Sequence, residues 1–188
     1  MITLENDELK AYIELCNEQL NPEAKLLYEA SFLKIFVKFE RYLSEMFELY
    51  CIGSQSSKGY IPRRKLEFQN AEHLRAVLRD GNKNYVDYID KIQKVSGHIF
   101  IKNPFSVIFE EATNSTLFNK MVCMRNYIAH ESPESRKKYI KNCLSGNSFI
   151  DVGDYLLKID RRRSITNYSV YIEKIIEISE LILYPPDI

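Results

Sequence analysis

Between residues 23 and 51 apolar side chains return at helical intervals. Leu33, Phe36, Val37, Leu43 and Phe47 share one face, while Lys34, Lys38, Arg41, Glu45 and Glu48 follow the opposite one. A helix so patterned must bury one side against other elements. The stretch 168–184 repeats the pattern, with Tyr171, Ile172, Ile175, Ile178 and Ile182 turned inward and Glu173, Glu177 and Glu180 turned to water. Two such helices in one chain point to an all-α, up-and-down helical bundle.

Local punctuation supports that reading. Asn21-Pro22-Glu23, Asn103-Pro104-Phe105 and Ser132-Pro133-Glu134 each set a capping side chain before a proline, whose fixed φ and missing N–H suit the first helical position. Helices are expected over 5–19, 23–51, 71–79, 84–95, 105–112, 116–130, 133–143 and 168–184. Loops are expected over 53–59, at Ser96-Gly97 and at Ser145-Gly146-Asn147-Ser148. The run 98–101 could form a short strand, but no second alternating segment offers it a partner.

At 188 residues the chain fits one domain, taken here as 1–188, with enough length to build a core without metal or disulfide staples. It is 45% hydrophobic and 28% charged, and 26 basic side chains balance 26 acidic ones, which favours a globular protein without a global field for polyanions. Nucleic acid would have to be met by local patches such as 63–65, 136–138 and 161–163. Each of these triplets also reads as a solvated helix end or loop. Cys16, Cys51, Cys123 and Cys143 form no C-x-x-C pair, and His73 and His98 have no ligand-spaced neighbours, so neither a zinc site nor a disulfide framework is expected. With an acidic first segment and no apolar run of membrane length, a cytoplasmic protein without a membrane partner is the expectation.

Chemistry, if present, centres on the stretch 116–130. Leu117, Phe118, Met121, Val122, Ile128 and Ala129 define its apolar face, and Arg125 lies in the middle of that face. A guanidinium there needs a partner. Glu40, set in the apolar stripe of 23–51, is the acidic residue in a comparable position, so a buried Glu40–Arg125 ion pair is expected. Next to Arg125, the residues Asn119, Cys123, Asn126 and His130 form a small polar stripe, and the Ser132-Pro133 break leaves His130 near an exposed kink.

The hexapeptide Arg125-Asn126-Tyr127-Ile128-Ala129-His130, closing a long helix of an all-helical chain, resembles the signature of the HEPN superfamily (higher eukaryotes and prokaryotes nucleotide-binding). The resemblance in residues covers this hexapeptide, and the helical layout extends it loosely. It implies a HEPN-type bundle with additional short helices, and a metal-independent endoribonuclease of the toxin–antitoxin or anti-phage kind that needs no cofactor. Its active site would form where two protomers meet. Arg125, Asn126 and His130 would be catalytic, Glu40 would orient Arg125 on the stripe argument alone, and the partners would be RNA, a second copy of the chain and an antitoxin or sensor protein. One group of the family carries a modifiable Tyr two residues after the His. Here that position is Ser132, which argues against regulation by that route.

The residue types suit the reaction. Attack by an RNA 2′-hydroxyl needs a proton acceptor, a proton donor for the leaving 5′-oxygen and a cation for the phosphorane charge. An imidazole can serve as acid or base, and a guanidinium offers two parallel donors to phosphate oxygens. One chain supplies one such His, so a two-fold dimer is the way to supply two. The same residues would also serve a non-catalytic HEPN-like module that binds nucleotide, RNA or protein.

Overall fold

The structure, a computed structural model, describes residues 3–20, 25–79, 86 and 88–185, except for the side chains of 3–6. In chain order its elements are α1 (Thr3–Gln19), α2 (Lys25–Cys51), α3 (Ala71–Leu78), α4 (Tyr88–Ile99), α5 (Ser106–Phe109), α6 (Ala112–His130), α7 (Pro133–Asn142), α8 (Val152–Leu157), β1 (Ile159–Asp160), β2 (Ile165–Thr166) and α9 (Asn167–Leu183). The fold is all-α. Its only described sheet is the β1–β2 hairpin, in which Ile159 faces Thr166 and Asp160 faces Ile165. No helix among the described residues is long and apolar enough to cross a membrane.

The chain divides into two compact units. The first comprises Met1–Asp7, Phe39–Glu111 and Glu177–Ile188, and the second comprises Glu8–Lys38 and Ala112–Ile176. In the first, Phe47 is ringed edge-on by Tyr88, Phe100 and Phe105, with centroids 5.7–6.4 Å away. Carbonyls near the end of α9 take hydrogens from elsewhere in this unit, and those of Ile182 and Leu183 have no acceptor role left inside the helix. Tyr42 Oη donates to Ser179 O at 2.8 Å, Tyr50 Oη to Ile182 O at 2.7 Å and Ser56 Oγ to Leu183 O at 2.7 Å.

The triplet 63–65 belongs to this framework. Arg64 Nη1 donates to Cys51 O at 2.7 Å, Lys65 Nζ donates to Gly97 O at 2.8 Å, and Arg64 pairs with Phe100 in a single antiparallel bridge. Gly53 makes room for the Arg64 guanidinium: it has φ +81°, and a Cβ there would stand 2.4 Å from Nη2. The basic residues at 64 and 65 are therefore structural ties.

In the second unit, Phe36 packs on Phe118 and Phe32 on Tyr171, with ring centroids 5.9 and 6.2 Å apart, while Tyr155 and Tyr171 share a 2.9 Å hydroxyl contact. Helix α8 is held by the Gly153 N–H, which donates to Glu29 Oε1 at 2.7 Å, and by an ion pair between Lys25 and Asp154.

Several boundaries differ from expectation. Ser96-Gly97 does not break α4, which runs on to Ile99; Ser96 is buried and bonded to Asn103, and a Cβ at Gly97 would touch nothing, so the helix passes through. Of 98–101, only Phe100 makes a bridge, because its partner segment supplies one residue of register. The helix expected over 105–112 is the single turn α5, and α6 begins at Ala112. The buried face of α2 is Phe32, Ile35, Phe36, Phe39, Tyr42, Leu43, Met46, Phe47 and Tyr50, whereas Val37 is 42% exposed. Of the expected stripe, Phe36, Leu43 and Phe47 lie on this face and Leu33 is half-buried. Helix α8 and the hairpin were not expected. The start at Asn21-Pro22 lies outside the described residues.

Candidate functional site

Helix α6 buries Asn114, Phe118, Met121 and Met124, a stripe at spacings of four, three and three. This departs from the expected face: Leu117, Val122 and Ile128 are half-buried and Ala129 is exposed. Arg125 follows the buried Met121 and Met124 and is half-buried, with its Nε shielded from solvent. Its Nη1 donates to Asn126 Oδ1 at 3.0 Å. One lone pair of the amide oxygen is thereby used, and the Asn126 side chain keeps its N–H donors for a ligand. Guanidinium and amide together present donors, the chemistry that receives a phosphate.

His130 is the last residue of α6 and is exposed. It stands one turn beyond Asn126 on the same side of the helix. Among the described residues it makes no hydrogen bond to Arg125 or Asn126, so the structure brings those two into contact and leaves the imidazole open to solvent. The turn after it is tightly defined. Glu131 takes φ 46° and its N–H donates to Tyr127 O at 2.8 Å. Ser132 Oγ then accepts the Ser135 N–H at 3.2 Å as the N-cap of α7, with Pro133 at its first position. Capping is thus the structural role of Ser132.

Helix α7 folds back along α6. The Tyr127 and Tyr139 rings stack 5.4 Å apart with planes 2° from parallel; Phe149 sets its edge against both, and the Arg136 guanidinium carbon lies 4.2 Å from the Phe149 centroid. Ser135 and Tyr139 are buried, which turns Lys137, Lys138 and Lys141 outward, all exposed. Lys141 and Phe149 were not singled out in the sequence; for Lys141 the i, i+3, i+4, i+7 spacing of Glu134, Lys137, Lys138 and Lys141 was the available signal.

Glu40 is half-buried beside Phe36, Phe39 and Leu43, and its carbonyl accepts from Ser44 Oγ at 2.8 Å. Its side chain is thus only partly enclosed by the α2 core face. Of the other basic triplets, 161–163 forms the exposed β1–β2 turn, where Asp160 Oδ1 accepts the Arg162 and Arg163 N–H groups and Arg163 Nη2 donates to Glu173 at 2.8 Å. Among the described residues no group of three His, Cys, Asp or Glu side chains could hold a metal ion. A cleft of about 400 Å³ in the first unit is lined by Tyr60, Phe100, Lys102 and Asn103, and none of Arg125, Asn126 or His130 reaches it.

Fold and site together define an all-α protein whose candidate site is a donor pair and an exposed imidazole at the end of α6. Comparison of the chain with protein-family models, with curated proteins and with solved structures found no match.

Proposed function

We propose that the chain is a metal-independent endoribonuclease of HEPN type, working as a homodimer on RNA in the cytoplasm. One observation carries the reading: Arg125 and Asn126 are joined so that both offer donors, one helical turn from an exposed His130. In the proposed reaction the Arg125–Asn126 pair holds the non-bridging oxygens of the scissile phosphate. One imidazole takes the 2′-hydroxyl proton and the second, from the partner protomer, protonates the departing 5′-oxygen. The outward lysines of α7 add positive charge directly after the His130 turn, where an RNA backbone would be drawn in. An antitoxin or sensor protein as partner, and a role in toxin–antitoxin or anti-phage defence, belong to the same proposal.

A total-RNA digest with the purified protein and its His130→Ala variant tests it. The wild-type protein is expected to fragment RNA and the variant to lose that activity by about 10²-fold or more, with an unchanged melting temperature because the side chain is exposed. RNA bound by both proteins and cut by neither would replace the enzyme with a binding module.

A further inference from the structure

The α6–α7 hairpin has a register that can be read from its rings. Tyr127 on α6 faces Tyr139 on α7. One turn farther from the loop, four residues back on α6 and four residues on along α7, the facing positions are Cys123 and Cys143. The hydrogen bonds agree with this register. Asn142 Nδ2 donates to Cys123 Sγ at 3.1 Å, and the Cys143 thiol donates to Lys120 O, one turn before Cys123, at 3.5 Å. Each sulfur therefore reaches the helix that carries the other. Cys123 is half-buried and Cys143 is buried.

We infer that Cys123 and Cys143 are a redox modification site, a thiol pair that peroxide converts into a disulfide across the α6–α7 seam. The half-buried Cys123 meets the oxidant first: its thiolate attacks one peroxide oxygen, giving a sulfenic acid and releasing hydroxide. The Cys143 sulfur then attacks the Cys123 sulfur, the S–S bond forms, and the sulfenic oxygen leaves as water. The two thiols lose two protons and two electrons in all, and one peroxide becomes two waters. Burial raises the Cys143 thiol to about 12, the neighbouring Cys123 adds to the rise and Lys120 opposes it, which keeps Cys143 a thiol at neutral pH and suits it to the resolving role. The crosslink would tie the helix bearing Arg125, Asn126 and His130 to α7 whether or not the chain cuts RNA.

The experiment uses the whole folded chain, treated with hydrogen peroxide, then alkylated and digested with trypsin without reductant. The expected product joins the peptide Met121–Arg125 to the peptide Asn142–Lys158, is lighter than the two by two hydrogens, and disappears on adding dithiothreitol. Cys123→Ser and Cys143→Ser should each abolish it. The buried Cys16 and Cys51 should remain alkylated thiols and serve as internal controls. Cys123 accumulating as sulfinic acid while Cys143 is recovered fully alkylated would overturn the inference, as would a crosslink that involves Cys16 or Cys51.

Discussion

Arg75 holds the Glu48 carboxylate with two hydrogen bonds, Nε to Oε1 at 2.6 Å and Nη2 to Oε2 at 2.7 Å, and the Tyr88 hydroxyl donates to the same carboxylate. Burial by itself would raise the Glu48 carboxyl, but the hydrogen bonds from Arg75 and Tyr88, with the guanidinium charge, outweigh it and hold the group below its ordinary value of 4.5. A carboxyl depressed in the folded state stabilises the protein fully above the unfolded value, and that contribution is lost as pH falls through 4.5 and on through the folded value. Glu48→Gln should cost about 1–2 kcal/mol at neutral pH, a figure kept low because the Arg75 side chain is half-exposed, and the cost should shrink toward acid. Urea melts of both proteins between neutral and acid pH measure this; a constant difference across the range would refute it.

Buried tyrosines should divide by what their hydroxyls meet. Tyr42 and Tyr50 donate to backbone carbonyls, whereas the buried Tyr139 and Tyr168 hydroxyls have no hydrogen-bond partner among the described residues. Tyr42→Phe and Tyr50→Phe should each destabilise by about 1–2 kcal/mol, because each removes a buried hydrogen bond to a helix carbonyl, while Tyr139→Phe should be neutral or stabilising. Thermal melts of the three variants decide it, and a Tyr139→Phe loss as large as the other two would count against the assignment.

Much of this framework was legible in the sequence, for identifiable reasons. Helix α7 was announced by Ser132-Pro133, and α9 by inward isoleucines that are all buried, since both signals are local. Helix α8 and the hairpin are held by Glu29, Lys25 and Asp160, contacts too distant in sequence or too short in span to leave a period. The start of α6 was missed because Ala112-Thr113-Asn114-Ser115 shows no apolar repeat, although Asn114 is buried there. At the site, the spacing placed Asn126 and His130 correctly on one side. The Arg125–Asn126 bond joins neighbours in the chain and carries no periodic signature.

If the proposed chemistry holds, RNA cleavage should persist in excess EDTA and leave 2′,3′-cyclic phosphate ends, because imidazoles and a guanidinium supply every role. Mass spectrometry of a short RNA product reads the ends. Products with 5′-phosphates, or activity that chelation removes, would exclude this mechanism.

The dimer is tested by mixing. A heterodimer of wild-type and His130→Ala protomers keeps one of the two imidazoles that a shared site requires. Its activity should fall far below half that of the wild type, since each proton transfer contributes about 10²–10⁴-fold. Activity near half would indicate two independent sites, and a monomer in light scattering with full turnover would dismiss the shared site altogether.

The three hydroxyls that take the last α9 carbonyls also govern how that helix opens. A helix end solvated by water frays many times for each global unfolding event, and its amides exchange with solvent hydrogen accordingly. Here each loosened turn must also surrender a buried hydroxyl from Tyr42, Tyr50 or Ser56. The C-terminal turn of α9 is therefore coupled to α2 and to the loop after it, and its amides should exchange on the timescale of this unit's core.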